Sequence, residues 1–186
     1  YFFPIIERNT VVPASIVKRL FTAADNQTQI SVGIYQGENR YVDKNVPLGE
    51  IVIDIPKGPA GKESVDVRYS YDMNGLLDVD VTVVSTQKKA NKIIEHAPGA
   101  ISAEEKRRSL EKLAKLKFHP REDEVNRALL ARGERLYESS LGEKREEVAR
   151  LLRIFDQILE AQNPTEIKKA QGQLKDAFDR LDDEEW

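Results

Sequence analysis

The pattern of apolar and polar residues along the chain changes its period near residue 97. Before this point apolar residues alternate with polar ones, for example at Ile30, Val32 and Ile34 and again over residues 77–83. A period of two predicts antiparallel β-strands that bury one face. Several such runs, separated by turn residues, predict a β-sandwich.

Two details of the strand-rich half are predicted from local sequence. Residues 51–55 read IVIDI, and the valine inside the isoleucine pattern predicts a strand that is covered on both faces. Asn74 and Gly75 lie between two alternating runs. Because both residues tolerate positive φ, they favour a tight primed hairpin turn.

After residue 97 the alternation stops and helical spacing begins. Ser102 and Glu105 have the spacing of a capping box, which predicts a helix start. Pro120 interrupts the helical pattern because proline lacks a backbone N–H and disfavours helix at the residue before it. Asn163 followed by Pro164 predicts the start of the last helix. The predicted fold class is therefore α+β, with an antiparallel β-sandwich at residues 1–97 and an α-helical bundle at residues 98–186.

Composition limits the classes of function. The chain has 186 residues, no cysteine and two histidines, and its net charge is −3. Without cysteine there are no disulfides, thiolate nucleophiles or cysteine-based metal sites. An acidic balance argues against a broad nucleic-acid surface. No apolar run approaches the ~20 residues that span a bilayer, so we expect neither nucleic acid nor membrane among the partners, and no metal.

The pairs of acidic side chains do not suggest a catalytic site. Glu104 and Glu105 are neighbours on a predicted helix, where adjacent side chains point about 100° apart. Asp78 and Asp80 share one strand face and could bind a cation, but alternation favours a polar outer face. The sequence also lacks a glycine-rich phosphate loop. We therefore predict no catalytic residue.

Residues 21–38, which read FTAADNQTQISVGIYQGE, are the strongest candidate for binding. A strand with alternating apolar residues beside a short polar turn can offer backbone donors and acceptors to an extended segment. Ala23 and Ala24 are small enough to allow close approach. From the residues alone, a place in the core is favoured over a ligand groove.

The order and spacing of five segments resemble one known family. These segments are IIERNTVVP at 5–13, FTAADNQTQISV at 21–32, YQGE at 35–38, PLGEIVIDIP at 47–56 and DMNGLLDV at 72–79. The chain resembles the substrate-binding region of the seventy-kilodalton heat-shock chaperones, the DnaK-like proteins. The resemblance covers most of the predicted sandwich and extends more loosely to the helices, which correspond to the family's lid.

The resemblance implies a client-binding part of a molecular chaperone. It implies that extended hydrophobic segments of unfolded polypeptides bind in a sandwich groove under a helical lid. ATP, magnesium and their ATPase domain would belong to a part of the parent protein outside this chain, so we expect no cofactor and no enzymatic activity here. A J-domain co-chaperone is the implied partner and the bacterial cytoplasm the implied location.

The resemblance also assigns residues. It places Ile30 at the central hydrophobic pocket, Leu20, Val32 and Val65 on the pocket walls, and Ala23 in the arch over the bound backbone. It places Phe21, Gln27 and Ser31 along the peptide. The family's first strand and the other half of the arch would precede Tyr1, so we expect weak peptide binding or self-association by strand exchange.

The lid contacts differ from the family pattern. The resemblance places Asp25 among the latch residues, but Glu134 and Glu138 occupy helix positions where an aspartate and a histidine are typical. His119 and Pro120 mark a predicted hinge between lid helices. We expect loose lid closure with fast peptide exchange. The alternative function is an adaptor that docks a partner through its helical bundle, and this would require a continuous apolar stripe on the outside of the helices.

Overall fold

The computed structural model describes residues 3–183 and confirms the α+β fold class. All strands precede all α-helices along the chain, as the change of period predicts. The six strands are β1 Ala14–Phe21, β2 Gln29–Gln36, β3 Val46–Asp54, β4 Ser64–Tyr71, β5 Leu76–Val83 and β6 Lys89–Glu95. The α-helices are α1 Ala103–Ala114, α2 Glu124–Ser139, α3 Gly142–Ala161 and α4 Pro164–Asp183.

The strands form two antiparallel sheets. One sheet has four strands in the order β1-β4-β5-β6, and the other consists of β2 and β3. Both sheets contribute alternating apolar side chains to one core, as expected for a sandwich. The buried core residues are Ile30, Val32, Ile34, Ile51, Ile53, Ile55, Val65, Val67, Val79, Val81 and Val83.

Strand β3 is covered on one face only, so the prediction of two covered faces was wrong. Ile51 and Ile53 are buried in the core, whereas the side chain of Val52 is 52% exposed. Val52 lies on the outer face of a two-stranded sheet, and no other described layer of the first unit packs there. An apolar residue within an alternating pattern does not by itself require a second covering layer.

The turn between β4 and β5 is not a primed turn. Gly75 adopts a φ of 79°, but Asn74 is outside the left-handed region. The carboxylate of Asp72 organises the turn, because its Oδ1 accepts hydrogen bonds from the backbone N–H groups of Asn74 at 3.0 Å and Leu76 at 2.9 Å. An aspartate that bonds to the backbone beyond it stabilises such a turn locally.

The helix starts agree with the local sequence signals. The Ser102 side chain accepts from the backbone N–H of Glu105, and the Glu105 carboxylate accepts from the backbone N–H of Ser102, which completes the predicted capping box. Asn163 caps α4 by accepting from the backbone N–H groups of Thr165 and Glu166. These caps satisfy N–H groups that lack a partner in the first helical turn.

The chain divides into two compact units between Lys117 and Phe118. The first unit contains the sandwich together with α1, and the second contains α2, α3 and α4. The core of the second unit is built from residues at helical spacing, which are Leu129, Leu136, Val148, Leu152, Phe155, Leu159, Ile167, Ala170, Leu174 and Phe178. The predicted boundary at residue 97 follows the change from strand to helix, and as a domain boundary it stays a prediction.

Candidate functional site

The four residues assigned to the central pocket lie together in the sandwich. Leu20 on β1 is directly opposite Val65 on β4. Ile30 and Val32 extend from the core face of β2, and Leu20 packs against the cluster that contains them. We call Leu20, Ile30, Val32 and Val65 the pocket cluster.

The pocket cluster is closed in this structure. Ile30 is 7% exposed and Val65 is fully buried. Little of either side chain is therefore accessible from outside the sandwich. An apolar side chain could reach Ile30 only if part of the surrounding surface moved. Ile30 is the first inward residue of β2 and adjoins the loop at residues 22–28, which we call the arch loop.

Phe21 and Ser31 lie on the opposite strand faces from the pocket cluster. Phe21 ends β1 and is 60% exposed. Ser31 is exposed on the outer face of β2, where its hydroxyl donates to the carboxylate of Glu50. Because neighbouring residues on a strand face opposite ways, these two side chains do not contribute to the same wall as Leu20 and Ile30.

Gln27 holds the arch loop in a defined shape. Its Oε1 accepts from the backbone N–H of Ala23 at 3.2 Å. Its Nε2 donates to the carbonyl oxygen of Gln29 at 2.8 Å. The Gln27 side chain thus connects Ala23 to the start of β2 by hydrogen bonds. This structural role adds to the predicted position of Gln27 along a bound peptide.

A second loop, residues 55–63, is hydrogen bonded along the arch loop, and we call it the facing loop. The carboxylate of Asp25 accepts from the backbone N–H of Ala60 at 2.8 Å. The backbone N–H of Asn26 donates to the carbonyl of Gly58 at 2.8 Å. Gly61 donates to the carbonyl of Thr22 at 2.8 Å. The resemblance assigns Asp25 to the lid latch, but in this structure its carboxylate binds the facing loop of the sandwich.

Sequence reasoning missed this loop pairing. Gly58, Pro59 and Gly61 favour a turn at residues 57–61, but no local signal indicates which other turn it contacts. The only usable hint was Asp25, because a short acidic side chain in a turn often accepts a backbone hydrogen bond.

The strands at the edges of the two sheets have a strand neighbour on one side only among residues 3–183. Strand β1 is the last strand on its side of the four-stranded sheet, and β2 and β3 each have one neighbour. An unpaired edge carries a row of backbone donors and acceptors that an extended chain can use. The edges of β1 and β2 adjoin the two ends of the arch loop, close to the pocket cluster.

The predicted hinge residues lie where the helices are interrupted. Helix α1 ends at Ala114, and Pro120 begins a one-turn 3₁₀ helix before α2. The Nδ1 atom of His119 accepts from the backbone N–H of Arg121 at 3.1 Å. Glu134 and Glu138 are exposed on α2. The helical break is present, whereas motion about it and a latch role for the glutamates stay predictions.

Asp78 and Asp80 do not form the solvated outer face that alternation predicts. The ammonium of Lys117 lies 2.6 Å from a carboxylate oxygen of each, and Asp78 is only 4% exposed. An intramolecular cation is therefore already bound between the two aspartates. The described residues hold no group of three or more side chains suited to a metal ion. None of the described helices is long and apolar enough to cross a membrane.

Similarity to known proteins agrees with this fold. The chain is 41% identical over 93 residues to the chaperone protein DnaK of Nitrosopumilus maritimus, which covers 50% of the chain and 15% of that protein. It is 41% identical over 103 residues to a ribosome-associated molecular chaperone of Saccharomyces cerevisiae, which covers 54% of the chain and 17% of that protein. It is 33% identical over 131 residues to the mitochondrial heat shock 70 kDa protein of Pisum sativum, which covers 69% of the chain and 19% of that protein.

These matches cover only a small part of each relative, between 15% and 19% of its length. The sequence resembles the bacterial DnaK paralogue HscC most, but the matches do not single out this paralogue, so its assignment stays a prediction. The family model described as Hsp70 protein matches residues 1–186. The chain therefore belongs to the Hsp70 family.

Proposed function

We propose that this chain is the client-binding part of an Hsp70 chaperone and binds extended hydrophobic segments of unfolded polypeptides. The observation that carries the proposal is the grouping of the pocket cluster beside the arch loop and the edge strands β1 and β2. The edges supply hydrogen bonds that do not depend on client sequence. The pocket cluster supplies a preference for one apolar side chain.

Opening of the site is part of the proposed mechanism. Because Ile30 and Val65 are buried, a client leucine enters after the arch loop has moved away from the core end of β2. Movement of this loop breaks its hydrogen bonds to the facing loop, including the one between Asp25 and Ala60. The exposed Phe21 and the small Ala23 then lie along the bound backbone.

The expected affinity is moderate. Burying one leucine side chain stabilises a complex by ~1.5–3 kcal/mol, and ordering an unfolded segment offsets part of the gain. A dissociation constant near one micromolar corresponds to about −8 kcal/mol. We expect values of this order or weaker, because opening the closed pocket cluster also costs free energy.

The remaining parts of the chaperone cycle lie outside these 186 residues in the proposal. ATP with its magnesium ion would bind elsewhere in the full-length protein, and a J-domain co-chaperone would act through that part. The second unit would serve as the helical lid, with His119 and Pro120 near its hinge. The proposed location is the bacterial cytoplasm.

The unpaired edge of β2 also suggests self-association by strand exchange. A strand from a second copy would satisfy the same backbone groups that an extended client uses. Dimerisation and client binding would then compete. Raising the protein concentration should lower the apparent affinity for peptide, which sedimentation and titration together can measure.

The adaptor alternative has less support. It requires a continuous apolar stripe on the outside of the second unit. Among the described residues, the exposed large apolar side chains of the second unit are Val125 on α2, Ile154 on α3, and Phe118 and Leu141 outside the α-helices. Single exposed apolar residues are ordinary on protein surfaces and do not indicate a docking face.

Fluorescence anisotropy with a labelled leucine-centred heptapeptide tests the proposed function. The control is the same peptide with aspartate in place of leucine. We expect saturable binding of the leucine peptide and at least about tenfold weaker binding of the aspartate peptide, because a buried unpaired carboxylate is costly. No saturable binding, or equal binding of both peptides, would contradict the proposal.

A further inference from the structure

Lys18 lies on the same face of β1 as Leu20, two residues away along the strand. Lys18 is directly opposite Val67 on β4, and Leu20 is directly opposite Val65. Directly opposed residues of an antiparallel pair extend to the same face of the sheet, and both valines are fully buried in the sandwich core. Lys18 therefore carries a positive charge on the inner face of an edge strand, beside the pocket cluster.

Lys18 is half-buried and forms no ion pair with a carboxylate among residues 3–183. The neighbouring Arg19 extends to the outer face of the sheet and donates two hydrogen bonds to the carboxylate of Asp66, at 2.7 Å and 2.9 Å. A lysine can keep its methylene stem against apolar neighbours while its ammonium stays near water. The ammonium of Lys18 is therefore available to a carboxylate that a bound segment brings in.

A client strand along the edge of β1 would repeat the alternation of that strand. Side chains two positions apart in an extended segment lie on the same side, roughly 7 Å from each other. We call the client side chain that enters the pocket cluster beside Leu20 the apolar anchor. The client side chain two positions from the apolar anchor then faces Lys18. It follows the anchor in sequence if the client runs antiparallel to β1, and it precedes the anchor if the client runs parallel.

We propose that Lys18 selects client segments that carry an acidic side chain two positions from the apolar anchor. This role rests on the proposed client binding and adds a charge preference to the apolar one. An aspartate or glutamate at that position pairs with the ammonium of Lys18, whereas a lysine or arginine is repelled by it. A pair that is partly shielded from water is stronger than a fully exposed one, because its charges interact through a lower effective dielectric.

The net charge of the chain makes this preference distinguishable from a general electrostatic attraction. With a net charge of −3, the protein as a whole favours basic peptides over acidic ones. A preference for an acidic residue at one client position therefore requires a local cation. On β1 that cation is Lys18, because Arg19 is already paired with Asp66 on the outer face.

Fluorescence anisotropy with the 186-residue protein and a set of labelled leucine-centred heptapeptides tests the proposal. The reference peptide has glutamine at both positions two residues from the leucine. Two peptides replace one of these glutamines with glutamate, and a third places glutamate directly beside the leucine. We expect one of the first two to bind about three- to tenfold more tightly than the reference. The third should show no gain, because its glutamate faces the other side of the strand.

Substitutions in the protein assign the gain in affinity to Lys18. Lys18→Met retains most of the stem and should abolish the gain. Lys18→Glu should reverse it, so that a peptide with lysine at the same position binds more tightly than the glutamine peptide. The matched control is Lys92→Met, which removes a half-buried lysine opposite the buried Val79, on the inner face of the edge strand β6. This control should leave the gain unchanged.

Client binding and the role of Lys18 would fail in different ways. Saturable binding of the glutamine peptide, with no gain from glutamate at either position two residues from the leucine, would overturn the role of Lys18 and leave client binding intact. Lys18 would then serve only as an inward-pointing charge that protects an edge strand from pairing with other chains. A gain that persists in Lys18→Met would also overturn its role. No saturable binding of any of these peptides would overturn both the proposed function and the role of Lys18.

Discussion

Asp25 accepts a hydrogen bond from the backbone N–H of Ala60 at 2.8 Å. The contact joins the arch loop, which carries Ala23, to the facing loop. The family resemblance assigns Asp25 to the lid latch, whereas here its carboxylate binds the backbone at Ala60. In this chain the carboxylate uses the backbone of that position, so the pairing does not require a basic side chain.

Removing the Asp25 carboxylate should make the arch loop open more easily. We expect Asp25→Ala to speed peptide release by up to about tenfold, since a typical hydrogen bond contributes about 0.5–1.5 kcal/mol net. Stopped-flow release of a labelled peptide measures the rate. Asp43→Ala, at an exposed aspartate in the loop between β2 and β3, is the matched control. An unchanged release rate in Asp25→Ala would show that the hydrogen bond between Asp25 and Ala60 does not limit opening of the arch loop.

Loose lid closure predicts a small effect of the second unit on peptide release. Glu134 and Glu138 are exposed acids, and exposed ion pairs contribute only ~0.2–1 kcal/mol each. We expect the release rates of residues 1–186 and residues 1–117 to differ by less than about tenfold. The shorter version ends after Lys117 and keeps α1. Release that is slower by about a hundredfold or more in the longer protein would contradict loose closure.

Local signals in the sequence predicted the elements well, whereas contacts between distant residues were not accessible. The alternation of Ile30, Val32 and Ile34 and the cap formed by Asn163 depend on neighbours within a few positions. Lys117 and Asp78 are 39 residues apart. Alternation correctly places Asp78 on the outer strand face, but it cannot show that a later segment covers that face.

The same distinction applies to the candidate site. The pocket cluster could be assigned from the resemblance because its residues follow strand alternation. The closed state of the pocket cluster could not be predicted from the sequence, because the exposed fraction of Ile30 depends on how β2 packs against β4. The hydrogen bond between Asp25 and Ala60 could not be predicted either, since it depends on two loops that meet only in the folded chain.

Gly133 and Gly172 should respond in opposite ways to alanine. A Cβ at Gly133 would lie 2.5 Å from Cδ2 of Leu152 and 2.8 Å from Cζ of Phe178, whereas one at Gly172 meets nothing within 4 Å. Overpacking costs about 1–3 kcal/mol, and alanine favours helix over glycine by about 1 kcal/mol.

We therefore expect Gly133→Ala to lower the free energy of unfolding of the second unit by about 1–2 kcal/mol and Gly172→Ala to raise it by about 0.5–1 kcal/mol. Urea denaturation followed by circular dichroism measures both. A stabilising Gly133→Ala would mean that α2 packs less closely against α3 and α4 than the structure shows.

The contact between Glu95 and Lys106 predicts a dependence of stability on acidity. The hydrogen bond from Lys106, with a second from the backbone of Gly99, holds the pKa of Glu95 below its ordinary value of 4.5. A lowered folded-state pKa contributes stability above the unfolded-state pKa, and this contribution is lost as the pH falls through the folded-state value.

Replacing Lys106 with methionine should therefore reduce the loss of stability between about pH 6 and about pH 3. Lys112→Met, at an exposed lysine of α1, should leave that loss unchanged. The measurement is the free energy of unfolding of the first unit at several pH values. The same acid dependence in Lys106→Met and the unchanged protein would indicate that this ion pair does not contribute.

The most direct test of client binding compares Ile30→Phe with Ile34→Phe by fluorescence anisotropy, using the leucine-centred peptide. Both residues extend from the core face of β2, but only Ile30 belongs to the pocket cluster. Each substitution overpacks the core by about 1–3 kcal/mol, so affinities are compared after correction for the folded fraction. We predict at least about tenfold weaker binding for Ile30→Phe and little change for Ile34→Phe. Equal affinities in the two variants would contradict the assignment of Ile30 to the binding pocket.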